Sequence, residues 1–228
     1  DQIEKKPLFD FLPGSLVYSI GTIGCNFSCE WCQNHDISQI EEGDQIIGKE
    51  TTPEEVVQEA LDKECKGVAY TYNEPAINIE FVRDTTRLAK EKDLKNILVT
   101  NGYFTKESFE YLNKEGLIDA MNIDLKAFKD ETYRKYCNAT RGVKPVLDTI
   151  KRAYEAGIHL EITTLVIPDL NDSDGEVEKI AEFIFSLDKK GEILWHISRF
   201  FPMFKFADGK RGPTSLEKLK EAKEIGEE

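Results

Sequence analysis

The sequence predicts an α/β fold, a partial (β/α)6 barrel of parallel strands. Three observations predict it. Six short runs rich in branched apolar residues alternate with stretches whose apolar residues recur at helical spacing, the pattern of parallel strands joined by right-handed crossovers. The runs are almost continuously apolar, as strands covered on both faces are. The length of 228 residues suits one domain spanning 1–228. Six units rather than eight favour an incomplete, open barrel; a flat doubly wound sheet is the alternative.

Residues 1–15 read as an irregular lead-in, polar at first, then apolar at Phe9 and Phe11, and closed by the Pro13-Gly14 turn. Residues 16–24 form the first strand, ended by glycine, and a cysteine-rich loop follows directly. Residues 41–49 are a charged loop. Thr52 and Pro53 open a helix as N-cap and first helical residue, with Glu54 and Glu55 in its first turn. The second strand covers 67–72 and ends in Asn73-Glu74-Pro75, with a helix to about Lys92. The third covers 96–100 and ends in Thr100-Asn101-Gly102, before a helix over 105–115 that Gly116 stops. The fourth covers 119–125 and runs into Lys126, with helical sequence over 130–137 and 143–156. The fifth covers 159–167 and precedes a helix over 174–187. The sixth covers 193–199, holds His196, and leads through a Phe/Pro-rich segment to a last helix from Ser215.

Composition narrows the function. Hydrophobic content of 40% and charged content of 32% describe a globular chain able to bury a core. A net charge of −13 argues against nucleic-acid binding, which rests on phosphate neutralisation. No apolar run has the length of a membrane span, and nothing reads as a signal peptide. Five cysteines without a secretory framework point to the reducing cytoplasm. The start at Asp1 and the Glu- and Lys-rich end read as a piece of a longer protein.

The chemistry is concentrated in residues 25–34, Cys-Asn-Phe-Ser-Cys-Glu-Trp-Cys-Gln-Asn. Cys25, Cys29 and Cys32 give three thiolates on one loop, while Cys65 and Cys137 are isolated. Three thiolates can hold a four-iron four-sulfur cluster and leave one iron without a protein ligand. A structural zinc ion wants a fourth donor, for which His35 is the near candidate. An odd cysteine count speaks against disulfides. In folds of this class the chemistry sits beyond the carboxyl ends of the strands. Asn73, Glu74, Thr100, Asp124 and Lys126 lie there, and His196 lies on the last strand. Each also has a structural reading: Glu74 as a helix cap, Thr100-Asn101-Gly102 as a turn, Asp124 and Lys126 as an ion pair, His196 as a core histidine.

The loop resembles the signature of the radical S-adenosylmethionine superfamily, in the branch of pyruvate formate-lyase activating enzyme. Cys25, Cys29, Trp31, Cys32 and Asn34 match its Cys-x3-Cys-x-aromatic-Cys-x-Asn run. Glu74-Pro75, Thr100-Asn101-Gly102, Asp124-Leu125-Lys126 and His196 match further motifs. Tyr72-Asn73 stands where that branch has two glycines, and Val99 stands where it has an aspartate that helps hold a monovalent cation. The chain is also similar to the AmmeMemoRadiSam-system radical SAM enzymes, found beside AMMECR and Memo domains, through Tyr-Thr-Tyr-Asn-Glu-Pro at 70–75.

The resemblance implies a radical SAM partial barrel with a 4Fe-4S cluster on Cys25, Cys29 and Cys32. It implies S-adenosyl-L-methionine held by Asn73, Glu74, Thr100, Asp124, Lys126 and His196, with Trp31 near the adenine. It further implies reductive cleavage of that cofactor to a 5′-deoxyadenosyl radical, fed by an electron donor such as flavodoxin or ferredoxin. The radical then abstracts hydrogen from a glycine of a partner protein. The alternatives are a modifier of a small molecule or peptide working with Memo-like partners, and a non-catalytic zinc-binding interaction domain.

Overall fold

The computed structural model describes residues 1–41, 43–46 and 48–227. Six strands, β1 (Val17–Ile20), β2 (Gly67–Tyr70), β3 (Lys95–Thr100), β4 (Ala120–Asp124), β5 (His159–Val166) and β6 (Leu194–Arg199), form one all-parallel sheet. Their spatial order is their sequence order, and among the described residues β1 and β6 do not pair. This is the open barrel expected. The alternative of a flat doubly wound sheet fails, because a doubly wound order reverses at a switch point and this one runs straight through.

The helices are α1 (His35–Ser38), α2 (Pro53–Asp62), α3 (Ile79–Glu91), α4 (Lys106–Leu112), α5 (Asp130–Tyr136), α6 (Lys144–Glu155), α7 (Asp174–Leu187) and α8 (Leu216–Glu227). Local chemistry sets their starts. Thr52 and Glu55 make a reciprocal capping box on α2, and Thr105 and Ser108 do the same on α4. Residues 75–78, expected as α-helix, are a tighter 3₁₀ turn ahead of α3. The short α1 was not expected. The expected loop over 41–49 includes Glu42 and Ile47, which lie outside the described residues. No helix among the described residues is long and apolar enough to cross a membrane.

The main core lies between the outer sheet face and the helices, where Val56, Val68, Leu98, Ile123, Ile150 and Ile162 are buried together. A second core fills the inside of the half-barrel. There Ile3 and Leu8 of the lead-in pack on Val17, Ala69, Ile97 and Ala120. The lead-in is therefore more than an irregular approach to β1: it threads the lumen. A Gln2–Leu16 antiparallel bridge anchors its start. At its far end the backbone N–H groups of Phe9 and Asp10 donate to the Glu161 carboxylate on β5 at 2.9–3.0 Å.

Candidate active site

The cysteine loop leaves the carboxyl end of β1 through Gly24, whose φ of +91° is a conformation glycine adopts without strain. Hydrogen bonds fix the loop from several sides. Ser28 N donates to Cys137 O at 2.9 Å and Glu30 N to Tyr136 O at 3.0 Å. Gly24 N donates to Ile37 O at 2.7 Å, so α1 closes the loop on itself. The segment after β6 covers it: Phe206 N donates to Glu30 O at 3.1 Å, and its ring lies 5.6 Å from that of Trp31. Trp31, Phe200 and Phe206 are buried, consistent with packing by that Phe/Pro-rich segment.

The thiols of Cys25, Cys29 and Cys32 line one cavity of about 490 Å³ at the strand carboxyl ends. Trp31, Asn73, Glu74, Thr100, Asp124 and Lys126 line the same cavity. Burial pushes the Cys25 thiol up to about 12. Contact with the Cys137 thiol, together with burial, raises Cys29 as well. Both thiols are thus neutral until a cationic centre offsets the cost of burying thiolates.

The polar residues hold one another in place. Glu74 is 1% exposed and accepts from Ala76 N at 3.0 Å, from Thr100 Oγ1 at 2.8 and 2.9 Å, and from Asn101 N at 2.8 Å. It caps the 3₁₀ turn, as its structural reading has it, and it also faces the cavity. Burial pushes its carboxyl up to about 7 despite those bonds. Lys126 donates to Asp124 Oδ2 at 2.7 Å. Burial alone would lower its ammonium; the Asp124 carboxylate, with Cys29 and Cys137 adding to it, holds it well above its ordinary value.

Asn73 reaches backward to the loop. Its amide donates to Gly24 O at 2.7 Å and Thr22 Oγ1 at 2.8 Å, and its oxygen accepts from Thr22 N at 3.0 Å. Tyr72 before it adopts a left-handed φ of +73°, uncommon outside glycine, and its carbonyl accepts from Asn34 Nδ2 at 2.7 Å. The position of the branch's glycines is thus a tie between the end of β2 and the cysteine loop.

His196 is the one expected site residue that the structure does not bring to this cavity. Its Nε2 lies 2.6 Å from Glu161 Oε2, and its ring lies 4.9 Å from Phe9. His159 Nε2 meets Glu161 Oε1 at 2.9 Å. Burial works against ionisation of Glu161, but both histidines and the two lead-in N–H groups overcome it and bring the carboxyl down to about 2. This cluster clamps the lead-in below the cavity. Asn101, named with Thr100 and Gly102 at the end of the third strand, lines the cavity; sequence reading missed Asn122, which also lines it, and Lys6 within the lead-in. A charged Glu161 in an apolar strand, two residues from His159 and so on its face, was the available signal.

The donor set fits a cluster better than one ion. Sulfurs about 2.3 Å from a single zinc stand within about 4 Å of each other. Among the described residues, no three His, Cys, Asp or Glu side chains are grouped to hold one metal ion. His35 instead stacks on Phe204 at 4.7 Å. Three thiols on one cavity wall suit a four-iron cluster with an open iron; the Cys137 thiol touches Cys29 but does not line that cavity.

The profile of the Radical SAM superfamily matches residues 19–184. An uncharacterized protein of Methanocaldococcus jannaschii is 43% identical over 226 residues, covering 99% of this chain and 64% of that protein. The pyruvate formate-lyase-activating enzyme of Clostridium pasteurianum is 28% identical over 170 residues, covering 71% of this chain and 66% of the enzyme. The crystal structure of a radical SAM methyltransferase from Sphaerobacter thermophilus superimposes with a TM-score of 0.65 at 17% identity, covering 92% of this chain and 62% of that one. This chain thus spans somewhat under two thirds of the length of these proteins. It belongs to the radical SAM superfamily, whose cofactors are a 4Fe-4S cluster and S-adenosylmethionine.

Proposed function

We propose that this radical SAM chain carries its cluster on Cys25, Cys29 and Cys32 and acts as an activase, taking a hydrogen atom from a glycine of a partner protein. The observation that carries the reading is the convergence of those three thiols with Glu74, Thr100, Asp124 and Lys126 on one cavity. Similarity to a pyruvate formate-lyase-activating enzyme supports the glycine target. When bound, the cluster and S-adenosylmethionine supply one-electron cleavage of a sulfonium and hence an organic radical.

The chain's own residues bind and orient. Glu74, once ionised, offers a carboxylate to the methionyl amino group, and its bonds from Thr100 and Asn101 keep it aimed. Lys126 offers the remaining N–H groups of its ammonium to the methionyl carboxylate, while Asp124 holds it and offers its second oxygen to a ribose hydroxyl. Trp31 supplies an apolar wall beside the adenine. Asn73 acts by fixing the loop, because its side-chain groups are engaged there. His196 is left out of the cofactor contacts. A small donor such as flavodoxin or ferredoxin supplies the electron in the cytoplasm.

A second reading, a modifier of a small molecule or peptide with Memo-like partners, draws support from a buried lysine inside the lumen. The experiment is anaerobic reconstitution, reduction with dithionite, addition of S-adenosylmethionine, and quantification of 5′-deoxyadenosine with and without a glycyl radical enzyme. A glycyl radical in the partner by electron paramagnetic resonance supports the activase. 5′-Deoxyadenosine without that radical favours the second reading, and no 5′-deoxyadenosine overturns both.

A further inference from the structure

We infer that Lys6 is a substrate-recognition residue whose ammonium, set into the lumen by the lead-in, binds a carboxylate carried by the substrate. The inference rests on the cavity's being the active site, and it names the chemical class of what enters.

Lys6 lies between Ile3 and Leu8, both fully buried in the inner core. It is itself only 2% exposed, yet it is among the residues that line the cavity. Burying an ammonium is expensive, and at such a position an apolar side chain is the cheaper solution for stability alone. Burial lowers the Lys6 ammonium to about 8, with Lys5 adding to the effect, so it is still mostly charged at neutral pH.

Its partners leave that charge incompletely met. An ammonium has three donors. Among the described residues one reaches Asp1 Oδ2 at 3.0 Å, and the Tyr72 ring lies 4.3 Å from Nζ. The Asp1 carboxylate is shared: Tyr72 Oη donates to the same oxygen at 2.6 Å, and Lys5 Nζ is 3.8 Å from the other. Two lysines thus face one carboxylate. The whole lining repeats the imbalance, with Lys5, Lys6, Lys126 and Arg199 against Glu74 and Asp124. A cavity of net positive charge in a chain of net charge −13 attracts anions locally. Lys126 is committed to Asp124, whereas Lys6 shares the Asp1 carboxylate with Lys5 and Tyr72. Asn122 steadies the neighbouring backbone by donating to Pro7 O at 2.8 Å.

The test uses the reconstituted, cofactor-loaded chain and acetate as the carboxylate probe, with acetamide as its neutral isostere, by isothermal titration. Saturable acetate binding, absent for acetamide, should weaken about ten- to hundredfold in Lys6→Met, the worth of one charge-assisted hydrogen bond. Lys6→Arg should retain it. S-Adenosylmethionine affinity should be the same in all three proteins. Equal acetate binding in Lys6→Met overturns the inference. So does a loss of S-adenosylmethionine affinity in that variant, which would give the ammonium to the cofactor's own carboxylate. Production of 5′-deoxyadenosine by the wild type is read separately, so failure of the radical reading is distinguishable from failure of Lys6.

Discussion

The side-chain amide of Asn73 donates to the backbone carbonyl of Gly24 at 2.7 Å, pinning the end of β2 to the first residue pair of the cysteine loop. Asn73→Ala leaves that carbonyl and Thr22 N–H without their partner, a loss of about 1–3 kcal/mol. The expected outcome is a lower melting temperature and a lower iron content after reconstitution. Unchanged iron loading would show that the loop holds its shape without this tie.

Cys29→Ala removes one of three thiols at a position only 8% exposed. The variant should fold and lose cleavage of S-adenosylmethionine, because two thiolates do not hold the cluster. Absorbance of the iron–sulfur chromophore and 5′-deoxyadenosine yield check this; retained cleavage removes Cys29 from the ligand set.

Asp124→Asn leaves the Lys126 ammonium without its counter-charge. Stability should fall by on the order of 1–3 kcal/mol, less than for a fully buried pair because Asp124 is partly solvated. Cofactor affinity should weaken with iron content unchanged. Equal affinity in variant and wild type would make Asp124 purely structural.

Glu74, with its carboxyl at about 7 against an ordinary 4.5, binds its proton more tightly folded than unfolded. Stability of the cluster-free chain should therefore decline as pH rises from about 4.5 through 7. Ionisation over the same window should strengthen cofactor binding. Glu74→Gln should flatten both profiles, measured by urea unfolding and by cofactor titration; parallel profiles in variant and wild type would refute the assignment.

Glu161 titrates the other way. Its carboxyl is held at about 2, so its contribution is complete above about 4.5 and is lost as pH falls through 2. Glu161→Gln should destabilise by roughly 2–4 kcal/mol at neutral pH and raise hydrogen exchange in the lead-in. The difference from wild type should shrink below pH 4.5. No such convergence would detach the clamp from the carboxylate charge.

Much of this was legible in residues. The six strands and the cysteine loop follow from apolar runs, glycines and spacing, and the helix over Asp174–Leu187 has the bounds expected. Asp124 and Lys126, two apart on one strand end, do pair. The lumen was not legible. When both faces of a strand are covered, apolar content hides which residues point inward, so Asn122 gave no periodic signal, and Lys6 lies outside any strand. His196 was expected at the mouth because it lies on the last strand; it lies nearer that strand's start and faces Glu161. Residues 1–15, lacking strand or helix periodicity, gave no sign that they fill the barrel.

The threading of the lead-in constrains the order of folding. Phe9 bonds to Glu161, 152 residues later, whereas each strand pairs with its sequence neighbour. Strand pairing can therefore spread from β1 to β6 through comparatively short closures. The lead-in, made before the strands it packs on, has no Glu161 carboxylate to dock on until β5 has emerged. Ile3 and Leu8 can pack on Val17, Ala69, Ile97 and Ala120 of β1 to β4 before that, while the bonds from Phe9 and Asp10 wait for Glu161. The far end of the lead-in is thus the part of the lumen whose closure depends on nearly the whole chain.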